Sequence, residues 1–331
     1  MFTAPRYRLV CLSIVLLFSG SVIKAQHDAS GSKEMMGGGP VGGSTSRTTT
    51  KSTTKPPVRT TTPARKPPVT TTARKPPVTK APDANYYNVQ GDQFYDAKNY
   101  NEALAAYEKA VELTPSLAHA HYRIGWIKND REEYQEAIEP LTQASRLQPT
   151  YSAFYELGYA YRQLKRHDEA IRAYNESIRM KSDYAPAYFD IGWIHNDQSN
   201  YDDAVASLKQ ALRIDPKHAA AHQEMGYALR HLGRYSEAIE EYEESIRLQP
   251  NVAWAHLGLG DVYYLNTKQY NEAIRYYKEG IRLRPNTPAA VYNLGLCYKA
   301  IGNRIGAMEQ YRVLTQLDSA MAQKLLGVIN N

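Results

Sequence analysis

The chain has 331 residues, with 40 Lys+Arg against 34 Asp+Glu and a formal net charge of +6. That charge is uneven: residues 1–83 carry 13 basic and 3 acidic side chains (+10), whereas residues 84–331 carry 27 and 31 (−4). The basic balance belongs to the N-terminal quarter, so the high isoelectric point gives no footing to a nucleic-acid-binding reading of the remainder. Two cysteines, Cys11 and Cys297, are too few for a disulfide framework.

Residues 1–25 read as a secretory signal peptide: Arg6 and Arg8 precede the apolar run Leu9–Phe18, and small residues follow, with cleavage after Ala25 or Ser21. The apolar run is shorter than the roughly 20 residues of a membrane span. The expectation is export to the periplasm, the medium or the cell surface; an uncleaved segment would instead anchor the chain in a membrane. Residues 26–83 are a low-complexity linker, in which Lys55-Pro56-Pro57-Val58, Lys66-Pro67-Pro68-Val69 and Lys75-Pro76-Pro77-Val78 alternate with threonine runs. Such a segment is an extended spacer that buries no core, and its charge suits contact with an anionic surface.

From residue 84 onward the chain repeats. Gly91, Gly125, Gly158, Gly192, Gly226, Gly260 and Gly295 recur every 33 to 35 residues, and Ala103, Ala137, Ala170, Ala204, Ala238, Ala273 and Ala307 follow each by 12 or 13. Such a period predicts stacked units, each burying its apolar face only against its neighbours. Within residues 219–252, Met225, Tyr227, Ala228, Leu229 and Leu232 keep helical spacing, Gly233 ends that helix, and Ala238, Ile239, Tyr242, Ser245 and Ile246 start a second one. Pro250 stops it. Each unit is thus a pair of antiparallel helices, with the small residues where the two touch. The tyrosines at 107, 174, 242, 277 and 311 are expected to fill the space between successive units.

These residues resemble the tetratricopeptide repeat (TPR), a 34-residue motif with Gly, aromatic, Ala and Pro positions in fixed order. The units run 84–117, 118–150, 151–184, 185–218, 219–252, 253–287 and 288–321, together 84–321, with 322–331 belonging to a C-terminal capping helix. The motif proline is present as Pro115, Pro149, Pro216, Pro250 and Pro285, and is replaced by Ser182 and Ser319 in the third and seventh units. The resemblance implies an all-α fold: a right-handed TPR superhelical solenoid of seven helix-turn-helix repeats.

Metalloprotease, phosphate-loop and nucleophile-elbow motifs are absent, and the chain is read as no enzyme, with no cofactor and no metal. His218 and His222 are four apart, but His218 falls in a turn, while His121 and His256 share the unit position of His222, which points to packing.

A second period is twice the first. Ile-Gly-Trp-Ile-x-Asn-Asp occurs at 124–130 and 191–197, and Glu-x-Gly-Tyr-Ala-x-Arg at 156–162 and 224–230. Duplication of a two-unit block accounts for it, and a functional reading is compatible. In the TPR family the second, fifth, ninth and twelfth residues of a unit line a concave groove. Carried onto this chain, the ninth residues are Trp126, Tyr159, Trp193 and Tyr227 and the twelfth Asn129, Arg162, Asn196 and Arg230. Among the fifth residues are Tyr122, Tyr155 and Phe189. The resemblance implies a non-catalytic scaffold binding an extended peptide of a protein partner: asparagine on backbone amides, arginine on carboxylates, rings on side chains. The alternative for the same side chains is packing between units and internal salt bridges. The alternatives for function are a glycan or wall-polymer binder, with rings stacked on sugars, and an accessory subunit of an envelope complex. The lysine–asparagine carboxylate clamp of chaperone-binding TPR proteins is not matched, since the first unit has Asn88 and Asp92 there.

Overall fold

The computed structural model describes residues 82–331; the expected signal segment and nearly all of the linker lie outside the described residues. The described residues form fifteen α-helices and no strand. The first helices of the seven units are α1 Ala84–Asp96, α3 Ala118–Asp130, α5 Tyr151–Gln163, α7 Ala185–Asp197, α9 Ala219–His231, α11 Ala253–Asp261 and α13 Pro288–Ala300. The second helices are α2 Tyr100–Leu113, α4 Tyr134–Leu147, α6 His167–Met180, α8 Tyr201–Ile214, α10 Tyr235–Leu248, α12 Tyr270–Leu283 and α14 Arg304–Leu317, and α15 Ser319–Asn330 closes the chain. Each helix packs on its partner and on the next unit, which is the all-α TPR solenoid that the period implies.

The glycine repeat is a set of seats. A Cβ on Gly91 would lie 2.5 Å from the Tyr107 ring, on Gly125 2.4 Å from Leu141, and on Gly158 2.7 Å from Tyr174. The large side chain of the second helix therefore sits over the glycine of its own unit, so most of this contact is made within units rather than between them. Tyr242 does both: it faces Gly226 of its own unit and lies 2.4 Å from where a Cβ on Gly258 of the next would stand. In the last unit the seat is taken from outside, by Leu325 of α15 at 2.6 Å from the Cβ position of Gly295. That contact is how the terminal helix covers the end of the stack.

The turn between paired helices contains one left-handed residue in every unit: Lys98 (φ 61°), Glu132 (65°), Lys165 (58°), Ser199 (62°), Gly233 (76°), Lys268 (57°) and Gly302 (75°). Only two of the seven are glycine, although the conformation costs other residues roughly 1–2 kcal/mol.

Two units depart from the pattern. The sixth has one extra residue, absorbed by a π-helical turn, Val262–Asn266, that continues α11. The second carries Pro140 inside α4. An interior proline removes one helical hydrogen bond and crowds the preceding turn, at a cost of about 3 kcal/mol.

Candidate functional site

The side chains singled out by the doubled period lie on the first helices, where the twelfth residue of one unit meets the sixth of the next. At the junction of units two and three, Asn129 donates from Nδ2 to the Glu156 carbonyl (3.0 Å) and to Glu156 Oε2 (2.9 Å). Units four and five repeat this: Asn196 Nδ2 reaches the Glu224 carbonyl (3.0 Å) and Oε2 (2.9 Å). Between units three and four the pair is ionic, Arg162 Nη1 to Asp190 Oδ1 at 3.2 Å, and the Tyr155 hydroxyl donates to Asp190 Oδ2 at 2.9 Å. The doubled period thus has a packing chemistry: asparagine is matched with glutamate and arginine with aspartate, in alternation.

The outer junctions differ. Between units one and two the order is reversed, with the Arg123 guanidinium 4.2 Å over the Tyr95 ring. Between units five and six the sixth residue is Gly258, so Arg230 has no acid opposite it. Its nearest carboxylate is Asp261 Oδ2 at 4.0 Å, and the other oxygen of Asp261 already accepts from the Tyr277 hydroxyl (2.7 Å) and Asn293 Nδ2 (3.3 Å). Arg230 also donates from Nη2 to His231 Nε2 at 3.0 Å.

Of the eleven side chains expected to face a ligand, Asn129, Tyr155, Arg162, Phe189 and Asn196 are buried in these junctions. Phe189 stacks on His218, ring centres 4.7 Å apart. Tyr122, Trp126, Tyr159, Trp193, Tyr227 and Arg230 are half-buried. The ninth-residue rings each lean back on the preceding unit: Trp126 meets Tyr95 edge-on at 5.2 Å, Tyr159 meets Tyr134 at 6.0 Å, and Tyr227 meets Tyr201 at 6.2 Å. Trp193 lies under the Arg162 guanidinium at 4.9 Å.

Burial dominates the electrostatics. It pushes the Tyr95 and Tyr227 hydroxyls up to about 12 and the Cys297 thiol likewise to about 12, leaving Cys297 a small apolar core residue. It raises Glu224 above the usual carboxylate range, against the bonds from Asn196 and Gln223. For Arg162, burial is the largest influence and works against the charge, but the Asp190 carboxylate together with Tyr174, Tyr155 and Tyr159 outweighs it, and the guanidinium is held above its ordinary pKa.

His218 and His222 are both engaged: His218 Nδ1 accepts from the Ala221 amide at 3.1 Å and caps α9, while His222 contacts Glu241 Oε2 (2.6 Å) and the Pro216 carbonyl (3.1 Å). Among the described residues no group of three or more His, Cys, Asp or Glu is arranged to hold a metal ion, and no helix is long and apolar enough to cross a membrane.

Sequence reasoning missed the acids Glu156, Asp190 and Glu224 as partners, although they stand at one unit position in alternation with the residues they bind. It also passed over Trp254 and Leu265 of unit six, which are 48% and 52% exposed. Trp254 occupies a second position and so carried the same signal as the residues chosen; Leu265 is turned outward in the π-helical turn.

Comparison with known proteins places this geometry. A relative in Mycosarcoma maydis, small glutamine-rich tetratricopeptide repeat-containing protein 2, is 35% identical over 105 residues, 29% of this chain and 28% of its own. The Hsp70-Hsp90 organising protein of Plasmodium falciparum (isolate 3D7) is 27% identical over 100 residues, 28% of this chain and 18% of its own. The chain thus spans under a third of the length of either curated relative. The C-terminal part of a TPR repeat-containing protein from Cytophaga hutchinsonii superposes with a TM-score of 0.59 at 15% identity, over 74% of this chain and 99% of that one, a likeness of fold. A TPR profile matches residues 267–302, and the profile described as the cilia and flagella-associated protein 70 C-terminal domain matches residues 44–267, more than half of the chain. The chain is a TPR repeat protein and belongs to the cilia and flagella-associated protein 70 C-terminal domain family.

Proposed function

We propose that the array is a non-catalytic protein-interaction scaffold whose first-helix face takes an extended segment of a partner protein. The observation that carries this is the row of half-buried rings Tyr122, Trp126, Tyr159, Trp193 and Tyr227 on four successive first helices. The four ninth-residue rings each pack on the preceding unit and Tyr122 packs into the junction of units two and three, so little conformational entropy is lost on binding. The buried junction residues Asn129, Tyr155, Arg162, Phe189 and Asn196 serve this face chiefly by setting the rotation between units. Arg230, half-buried and 4.0 Å from Asp261, is more accessible than the buried Arg162 to a carboxylate of the segment. One relative is named for organising Hsp70 and Hsp90, which favours a scaffold. In this reading residues 1–25 export the chain, and the basic linker holds the array near an anionic surface.

Selection of random twelve-residue peptides displayed on phage, with the full chain as bait, tests it. Enrichment of a linear motif, abolished by Trp126→Ala with Trp193→Ala, is the expected result. No enrichment beyond a bare support would overturn the peptide reading, and retention of an acidic wall polymer by the same rings would put glycan binding in its place.

A further inference from the structure

The second helices of units two to six share a polarity that the first-helix row does not use. Each opens on an acid and closes on an arginine: Glu136 and Arg146 in α4, Asp168 and Arg179 in α6, Asp202 and Arg213 in α8, and the same order in α10 and α12. It suits each helix's own dipole. Repeated from unit to unit, it draws one acidic and one basic stripe across the second helices, about 15 Å apart. Eleven residues separate Asp168 from Arg179 and Asp202 from Arg213, which is three helical turns, so acid and base leave each helix on one face. All six side chains named are exposed.

The arginines differ in what answers them within the chain. Arg179 pairs with Glu176, three residues before it, and units five and six repeat that pair. Units two and four have Gln143 and Gln210 at that place instead. There the Arg146 and Arg213 side chains have no ionic or hydrogen-bonding partner among the described residues. The Arg179 side chain is itself 71% exposed, and an ion pair so open to water holds it weakly. Next to these arginines stand Leu147 and Met180, both exposed. Units two to four therefore present a line of acids and a line of available arginines, with apolar side chains along the basic edge.

We propose that this face of units two to four docks a second copy of the chain. The copies are related by a two-fold axis running along the stack, so their second helices are antiparallel and like units face each other. The spacing from acid to arginine and the spacing from unit to unit are the same in both copies. Arg146, Arg179 and Arg213 of each therefore meet Glu136, Asp168 and Asp202 of the other, and each contact is made twice. A partner carrying one sign of charge would be repelled by one of the two stripes, whereas a second copy matches both. None of these side chains lies on a first helix, so the surface is independent of the function proposed above and its failure would leave that reading standing.

Sedimentation velocity of the full chain tests it. A concentration-dependent dimer is expected in about 50 mM salt, with its dissociation constant raised about tenfold or more in about 500 mM salt, where exposed pairs are screened. Arg146→Glu with Arg213→Glu sets acid against acid, and Glu136→Arg with Asp202→Arg sets base against base; each double variant is expected to stay monomeric. Mixed in equal amounts, the two variants place an acid opposite a base at every contact, and a heterodimer of native affinity is expected, which also shows that both are folded. A native chain that stays monomeric in low salt, double variants that dimerise as the native chain does, or a mixture that stays monomeric would overturn the proposal.

Discussion

Arg162 of unit three and Asp190 of unit four meet at 3.2 Å with each side chain only 3% exposed, and the Tyr155 hydroxyl completes the carboxylate's shell at 2.9 Å. Two charges withdrawn from water this fully hold their place only through each other. The pair fixes the rotation of one unit on the next, and it makes Arg162 a structural residue first. Replacing Arg162 therefore tests the stack as much as any ligand contact, whereas Arg230, half-buried and 4.0 Å from its nearest acid, is the cleaner probe of anion recognition.

Removing one partner leaves a buried charge. Asp190→Ala is expected to destabilise the array by about 3–5 kcal/mol, read as a lowered urea midpoint, while Arg162→Met combined with Asp190→Leu recovers most of that loss. A double variant as unstable as the single one would show that the pair contributes specific bonds that apolar packing does not replace.

The glycine seats admit no methyl group. Gly125→Ala would bring a Cβ within 2.4 Å of Leu141, and a cost of about 1–3 kcal/mol is expected from the forced shift. Adding Leu141→Ala, which empties the seat, should relieve part of the clash rather than add to the loss; simple additivity in thermal denaturation would contradict this.

The left-handed turn residues predict the opposite sign. Glu132→Gly and Lys165→Gly place glycine where φ is 65° and 58°, and each should stabilise by up to about 1 kcal/mol, since relief of backbone strain outweighs the added unfolded-state entropy. Unchanged or lower thermal midpoints would show that the side chains there earn their place by contacts.

Histidine titration gives the array an acid-sensitive flank. Burial, with the neighbouring Arg230 charge, lowers His231 to about 4, and burial lowers His218 as well. A depressed folded-state pKa means stability that is present above the unfolded value of 6.5 and is lost as pH falls toward the folded one. His222 runs the other way: burial lowers it, but the Glu241 bond and the Pro216 carbonyl raise it further, so its contribution is full below 6.5 and fades at higher pH. Urea midpoints should fall between pH 6.5 and 4, and His231→Gln should flatten that fall. A profile identical in the variant would remove His231 from the account.

Much of the fold was legible because it is periodic. The glycine–alanine beat and the prolines mark helix pairs, but the same spacing put the tyrosines between units, where Tyr107 and Tyr174 instead sit over the glycines of their own units. What the period hides is which side chain answers which across a junction. Asn129 and Glu156 are 27 residues apart, and the doubled motif names both without showing that they bond. The ladder of Asn and Arg therefore suggested ligand contacts, where five of its eleven side chains and ring partners are buried between units. The extra residue of unit six was countable in the sequence, but its absorption into a π-helical turn after Asp261 was not.

The central claim is that the first-helix rings, and not the junction chemistry beneath them, hold a partner segment. Calorimetric titration of a selected twelve-residue peptide into the full chain tests it most directly, run beside Trp126→Ala with Trp193→Ala and beside Tyr86→Ala, an exposed ring of unit one off the row. The account predicts binding weakened by about a hundredfold in the first variant, as for the loss of two interface aromatics, and unchanged in the second, with circular dichroism showing both folded. Equal affinity in the folded Trp126/Trp193 variant and the native chain would contradict it.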